Sequence, residues 1–380
     1  MKIVHIGPDS QFIQFLSRVF EEHAPGANIY LITGSSPAGD FRFPAYGDAT
    51  SIRIRGRAGL ASIPLHVRSA DMVVVHGMGI HGAIAFNFSP RNVVKVWSGW
   101  GFDYYGNQND PYADQLKSTT LSMVKELRLN ERSSAIEKGL IKKIAASLIE
   151  SAANKTDYFS APIPSDFYVF RRRFIKFSGE YSQLNYGDVS EAFSVGPRMG
   201  CGKNILVGNS ASAPNNHLEV FDILSKHDLG GRKIIVPLSY GDSRYRERVI
   251  ASGRSIFGGA FQPLVDFLPL EKYSSILASC NVVIMNHLRQ QALGNIGTAI
   301  FNGAHVFLDP SNPVYEFFKD KNAMVHSTED LKVRPLPVSN LPDSSLTMNR
   351  AVLESFWGKE QVRANVERLI NKVRERRGSK

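Results

Sequence analysis

Asp103 and His76 are the residues whose type and setting best suit proton transfer in this chain. Asp103 stands in the glycine-aromatic stretch "GWGFDYY", and His76 closes the apolar run "VVVH" before Gly77. A carboxylate can take a proton from an alcohol, which makes Asp103 the first candidate base. Histidine titrates near neutrality, which makes His76 the second. Each also has a plainer reading. Asp103 can bond the backbone of its own loop, and His76 can be a buried, hydrogen-bonded ring. Trp100, Phe102, Tyr104 and Tyr105 offer faces on which a sugar could stack.

A second constellation suits an anion. "RQQALGNIGT" spans Arg289 to Thr298 and leads from an apolar run into a helix expected to start near Thr298. The first amides of a helix lack intrahelical partners, and the helix dipole favours negative charge there. Gly294 and Gly297 would let backbone approach a ligand closely. Arg289 supplies a two-pronged cation for phosphate, while Gln290, Gln291 and Asn295 can bond sugar hydroxyls or an acetamido group. Gly208-Asn209-Ser210 follows the apolar "NILV" and is a second phosphate-facing candidate. The loop of Pro237–Asp242, with Tyr240, is the third loop of this kind. Glu271 opens a helix and can bond a ribose hydroxyl. The plain alternatives are an Asn295-capped helix with Gly297 for packing, an Asn209 N-cap, and a dipole-complementing Glu271.

These residues need elements to hold them. Short apolar runs at Lys2–Ile6, Asn28–Thr33, Asp71–Val75 and Val93–Trp97 alternate with helical spacing, as in Ser10–His23. That pattern implies parallel strands covered on both faces. Alternation resumes with strands expected at Asn204–Val207, Lys233–Val236, Val265–Leu268, Asn281–Met285 and His305–Leu308. Helices are expected after Pro214, over Arg244–Ala251 and over Glu271–Ser279. Residues 179–203 are glycine-rich and aperiodic, and read as a linker. The expected division is one domain over 1–185, a second over 203–340, and C-terminal helices over 341–380 that pack back on the first. Ligands of doubly wound sheets bind outside the strand C-terminal ends, so two such domains would face a central cleft.

With 380 residues, 43% hydrophobic and 21% charged, the composition is that of a globular protein with two domains. No apolar run is long enough to span a bilayer, and the opening "MKIVHIGPDS" reads as a strand, not a signal peptide. Two cysteines make neither a disulfide framework nor a zinc site, which fits a reducing cytoplasm. A net charge of +10 points to an anionic partner. No nucleic-acid-binding motif accompanies it, so nucleic acid is not the expected partner.

The stretches "VVVHG", "WSGWGFDYY", "ILVGNSASAPNNH", "IIVPLSY" and "RQQALGNIGT" occur in an order that resembles the TDP-N-acetylfucosamine:lipid II N-acetylfucosaminyltransferase family. This is the 4-alpha-L-fucosyltransferase family, glycosyltransferase family 56. "ILVGNS" before "NNH", and "RQQ" before "NIGT", are its more specific parts; residues 34–70 and 111–200 match poorly. The resemblance implies a GT-B fold of two Rossmann-like domains, acceptor-binding over 1–185 and nucleotide-sugar-binding over 203–340, a dTDP-linked amino sugar donor and a lipid-pyrophosphate glycan acceptor. It further implies enterobacterial common antigen or O-antigen assembly at the inner membrane, with neither cofactor nor metal. The absence of an Asp-x-Asp pair agrees with the last point. A lipid-linked acceptor requires approach to an anionic membrane surface from the cytoplasmic side, as a peripheral protein. Between Lys117 and Lys155, eight basic residues, Lys142 and Lys143 among them, face four acidic ones. Interleaved Leu121, Met123, Val124, Leu127, Leu129, Ile141, Ile144 and Leu148 could insert shallowly, and Arg171-Arg172-Arg173 adds charge. A solvated helix packed on the sheet is the bland alternative. A GT-B-like sugar-nucleotide epimerase and a non-catalytic polyanion-binding protein are the competing functions.

Overall fold

The computed structural model describes residues 1–34, 41, 43, 49–106, 112, 114–129, 135–193 and 202–378. Arg132 and residues 194–201 of the expected linker lie outside them. The chain divides into two compact units. One is Met1–Pro111, Ser134–Asp188 and Lys359–Lys380; the other is Tyr112–Ser133 and Val189–Gly358.

The first unit holds β1 (Ile3–Pro8), β2 (Asn28–Thr33), β3 (Thr50–Ile54), β4 (Met72–His76), β5 (Val94–Ser98), β6 (Tyr158–Ser160) and β7 (Glu180–Tyr181). They form one sheet in the order β3-β2-β1-β4-β5-β6-β7, and every pairing is parallel. All residues of β4 and β5 are buried, as strands covered on both faces must be. β3 was not expected: "TSIRI" is an edge strand, half exposed, with too few apolar residues to signal itself. The helix Lys359–Gly378 belongs to this unit. Val362, Val366, Leu369, Ile370 and Val373 lie on one helical face and join Phe15, Leu16, Val19 and Phe20 in a common core. Each such side chain contributes roughly 1.5–3 kcal/mol relative to leaving it in water.

The second unit holds β8 (Asn204–Val207), β9 (Ile234–Pro237), β10 (Phe261–Leu264), β11 (Cys280–Met285), β12 (His305–Leu308) and β13 (His326–Ser327). Its order is β10-β9-β8-β11-β12-β13, again parallel throughout. The strand expected over Val265–Leu268 is four residues earlier. Pro263 obscured it, and proline is tolerated because β10 is an edge. The helix expected near Thr298 begins at Leu293, with Ala292 as N-cap. The basic region 114–155 is not one surface element. Its first helix, Ser118–Leu129, lies in the second unit, where Met123 and Val124 are buried with Ile205 and Val220. Its second, Ala135–Ala153, lies in the first unit and packs Leu148 and Ile149 on that core.

Candidate functional site

In the second unit, three loops leave the C-terminal ends of β8, β9 and β11. Gly208 follows β8 with φ of +67°, and a Cβ there would stand 2.6 Å from His217 Nε2 and 2.7 Å from Asn215 Oδ1. Only glycine fits such a backbone and such a neighbour. Asn215 organises the turn. Its Oδ1 accepts the Asn209 amide at 2.8 Å, and its Nδ2 donates to Ser210 Oγ at 3.2 Å and the Ser212 carbonyl at 2.9 Å. Asn209 Nδ2 donates to the Tyr240 hydroxyl at 2.8 Å, and Gln291 Nε2 donates to Asn209 Oδ1 at 3.0 Å. Three residues picked from three separate loops thus form one hydrogen-bonded set. Tyr240 remains 58% exposed and can meet a ligand. Ser210 is buried beneath it.

The amides of Leu293, Gly294 and Asn295 precede the first intrahelical bond, from Ile296 N to the Ala292 carbonyl. Ala292 adopts φ of +59°, a left-handed conformation unusual outside glycine and asparagine. A Cβ on Gly294 would meet nothing, so the helix mouth is open. Asn295 Nδ2 donates to the Tyr273 hydroxyl at 3.1 Å. Tyr273 lies on the helix Leu270–Ala278, whose first turn carries the exposed Glu271. Arg289 is half-buried, bonds the Gln290 carbonyl at 3.0 Å, and with burial helps hold His287 well below its usual pKa. Gln290 is buried.

Two candidates are corrected. A Cβ on Gly297 would come within 2.4 Å of the Phe193 ring, and Thr298 Oγ1 donates to the Ala192 carbonyl at 3.3 Å. Both residues lie past the first helical turn, packed against the short helix Val189–Phe193. They serve helix packing and do not face a ligand.

His217 and His287 escaped the sequence reading. His287 is fully buried, with Nε2 3.0 Å from Asn215 Oδ1 and its Nδ1 without a hydrogen-bond partner. Asn215 Oδ1 is an acceptor, so His287 carries its hydrogen on Nε2 and Nδ1 is a bare lone pair. His217 bonds Tyr245 at 3.0 Å and leaves Nε2 without a partner; burial lowers its pKa to about 3. Asn286 Oδ1 and Gln291 Oε1 also lack partners. Native interiors rarely leave polar atoms unbonded. Four such atoms lie in this one loop cluster.

In the first unit, Asp103 is the hub of its loop. Its Oδ2 accepts the Met78 amide at 2.8 Å and Trp97 Nε1 at 2.7 Å, and its Oδ1 accepts the Trp100 amide at 2.9 Å. Burial raises its pKa, against the opposing pull of these donors. The plainer reading of Asp103, bonding its own loop, is the one this geometry displays. His76 is fully buried, and burial holds its pKa well below the usual value. Its ring meets His5 at 3.1 Å and the Tyr186 hydroxyl at 2.8 Å, so its route outward runs through Tyr186. Tyr104 and Tyr105 both donate to Asp166, at 2.5 and 2.7 Å, and are structural. Phe102, 64% exposed, and Trp100 keep outward faces, joined by Phe12 at 45% exposure.

Lys142, Lys143, Arg171 and Arg172 are exposed; Arg173 is half-buried, 3.5 Å from Glu150. Ile144, Tyr168 and Ile175 are exposed at 53%, 65% and 82%. Of the apolar residues assigned to shallow insertion, Met123, Val124 and Leu148 pack into cores instead. Among the described residues no helix is long and apolar enough to cross a membrane, and no group of three or more His, Cys, Asp or Glu is placed to hold a metal ion.

The two parallel-sheet α/β units have the GT-B fold. Sucrose-phosphate synthase from Thermosynechococcus elongatus is similar in fold (TM-score 0.65, 10% identity, covering 98% of this chain and 99% of that one). So are an alpha,alpha-trehalose-phosphate synthase (UDP-forming) from Burkholderia vietnamiensis (0.61, 10%, 99% and 100%) and Anabaena HepE in complex with UDP-glucose (0.56, 10%, 99% and 95%). Residues 194–337 match the family of 4-alpha-L-fucosyltransferases, glycosyl transferase group 56, which supports the resemblance read from the sequence. That segment contains the second unit's Asn209, Tyr240, Arg289 and Gln291 together.

Proposed function

We propose that this protein is a hexosyltransferase that moves a deoxy-acetamido sugar, of the 4-acetamido-4,6-dideoxy-galactose type, from a dTDP-sugar to a lipid-pyrophosphate-linked glycan. It would act as a peripheral protein on the cytoplasmic face of the inner membrane, in surface polysaccharide assembly. The observation that carries the reading is the polar cluster of the second unit. An open helix N-terminus and Arg289 sit in the same loop as Gln291, which bonds the Asn209–Tyr240 pair, with bare buried polar atoms beside them.

As the bond from the anomeric carbon to the β-phosphate oxygen breaks, negative charge gathers on the leaving nucleotide. The Leu293, Gly294 and Asn295 amides and Arg289 are the groups that would meet it, fixed in place before the reaction. Asn209, Tyr240, Gln291 and Asn295 would bond sugar or ribose hydroxyls, with Glu271 at the rim. The departing diphosphate, whose own bond to the anomeric carbon has broken, takes up the proton of the incoming alcohol as the alcohol's oxygen bonds that carbon. The first unit supplies that side: Phe12, Trp100 and Phe102 for stacking, Asp103 to hold their loop. Exposed Lys142, Lys143, Arg171 and Arg172, with Ile144, Tyr168 and Ile175, would meet anionic lipid.

A thermal-shift panel of dTDP, UDP and GDP tests the donor class, with UDP included because a neighbour of similar fold binds UDP-glucose. dTDP should give the largest shift. dTDP release should require both a dTDP-amino sugar and a lipid-linked glycan; release without acceptor would favour an epimerase or hydrolase. Arg289→Ala should weaken dTDP binding by about 10- to 100-fold, as expected for losing one charge-assisted contact of about 1.5–3 kcal/mol. Unchanged dTDP affinity in that variant would remove Arg289 from the site.

A further inference from the structure

Tyr240 stands on the loop after β9, and that loop is clamped to the loop after β8. The Ala211 amide donates to the Tyr240 carbonyl at 2.7 Å, and the Asp242 amide donates to the Ala211 carbonyl at 2.9 Å. Gly241 allows the approach: its φ is +120°, and a Cβ there would come within 2.3 Å of the Ala211 carbonyl oxygen. Asp242 then caps the helix Ser243–Phe257, accepting the Arg244 amide at 2.9 Å and the Tyr245 amide at 3.0 Å. The backbone around Tyr240 is therefore fixed, while the residue itself is 58% exposed.

The hydroxyl is fixed as well. Gln291 Nε2 donates to Asn209 Oδ1 at 3.0 Å, which turns the Asn209 amide group toward Tyr240, and Asn209 Nδ2 donates to the Tyr240 oxygen at 2.8 Å. Ser210 Oγ receives Asn215 Nδ2 at 3.2 Å, so the hydrogen of Ser210 is left to give. Desolvation of its hydroxyl raises the Tyr240 pKa, and hydrogen bonds from Ser210 and Asn209 to its oxygen oppose that rise. The phenol keeps its hydrogen at neutral pH. With the oxygen accepting from two sides, that hydrogen must point away from both, and Tyr240 can only donate to a ligand.

We infer that the Tyr240 hydroxyl donates its hydrogen to a diphosphate oxygen of the bound nucleotide, with Asn209, Ser210 and Gln291 as positioning residues that hold it in that direction. This rests on the glycosyltransferase reading and narrows the part of Tyr240 in it, from sugar or ribose hydroxyls to the leaving group. Hydroxyls of a nucleotide-sugar both give and take hydrogens, whereas its phosphate oxygens only take, and being charged they are its strongest acceptors. Asn209 and Gln291 stand on the loops after β8 and β11, the neighbours at which the strand order of this sheet reverses. That reversal is where doubly wound sheets meet ligands. Gln291 is two residues before Leu293, whose amide opens the helix mouth, so the hydroxyl is tied to the loop that carries the open amides. A donor fixed before charge gathers needs no reorganisation as the bond breaks.

Isothermal titration of the full chain with dTDP tests this. Tyr240→Phe, which removes only the hydroxyl, should weaken dTDP binding by about 10- to 100-fold, as expected for a hydrogen bond to a charged oxygen. NMR of bound dTDP reads which part of the nucleotide is touched. A phosphorus resonance should differ between the native and Tyr240→Phe complexes, while the thymine methyl proton keeps its shift. Unchanged affinity, or changes confined to base and ribose resonances, overturns the proposal. Asn209→Asp tests the direction of the hydrogen, because it replaces the donor facing Tyr240 by an acceptor. The hydroxyl should then turn onto the new carboxylate, and adding Tyr240→Phe in that background should cost less than about 2-fold further. An added loss as large as in the native background overturns the positioning role of Asn209. If the native chain does not bind dTDP, the donor reading itself fails; dTDP binding that survives Tyr240→Phe undiminished fails this inference alone.

Discussion

Replacing Asp103 by Asn separates a loop organiser from a chemical base. The carboxylate receives three donors: Met78 N and Trp97 Nε1 on one oxygen, Trp100 N on the other. An asparagine can keep its carbonyl oxygen where two donors converge. Its amide group must then face the Trp100 N–H, donor against donor. Leaving that donor unsatisfied costs about 1–3 kcal/mol. The two remaining bonds lose their charge assistance, roughly another 0.5–1.5 kcal/mol each. Removing a half-buried charge returns part of this, since burial already raises the Asp103 pKa. The net expectation is a loss of about 2–4 kcal/mol. Urea unfolding followed by tryptophan fluorescence reads it directly, because Trp97 and Trp100 are both partners of Asp103. Well below the midpoint, where the variant is folded, substantial turnover should persist. A variant as stable as the native chain to within about 0.5 kcal/mol, yet more than about 1000-fold slower, would refute the organiser role and make Asp103 the base.

Gly297→Ala should destabilise the second unit by about 1–3 kcal/mol, since the new methyl meets Phe193, itself held edge-on by Trp357. The better helix propensity of alanine offsets part of that, and dTDP affinity measured on the folded variant should not change. Stability should also fall with acidification. His5, His76, His217 and His287 all have pKa values lowered by burial. Each ring gains its proton near pH 6.5 when unfolded but resists it when folded, so its contribution is complete above about pH 6.5 and declines below it. The slope is about 1.4 kcal/mol per pH unit for each ring. Urea midpoints measured from pH 7.5 to 5 should drop accordingly, and a flat profile would contradict the burial of these rings as neutral species.

The expected strands at Asn28–Thr33 and Asn204–Val207 coincide with β2 and β8, because runs of β-branched and aliphatic residues between turn signals have few other ways to be buried. β3, β7 and β13 escaped the sequence reading and β10 was displaced; all four stand at sheet edges, where one side needs no partner and the apolar signal weakens, and β7 (Glu180–Tyr181) lies within the stretch read as a linker. That the Arg289 loop is a candidate anion site was visible in its residue types. The choice between Gly294 and Gly297 was not, since two glycines three residues apart look alike until Phe193 fills the space beside one of them.

The sequence by itself determined two parallel α/β domains, the three polar loops of the second, and the proton-moving residue types of the first. Local pattern carries that much because strand burial and helix periodicity are properties of neighbouring residues. Only the tertiary structure decided that Asp103 is bound by three donors and that His76 stands behind Tyr186. Those facts depend on contacts between residues as far apart as 110 positions along the chain, as with His76 and Tyr186. No spacing rule encodes such contacts.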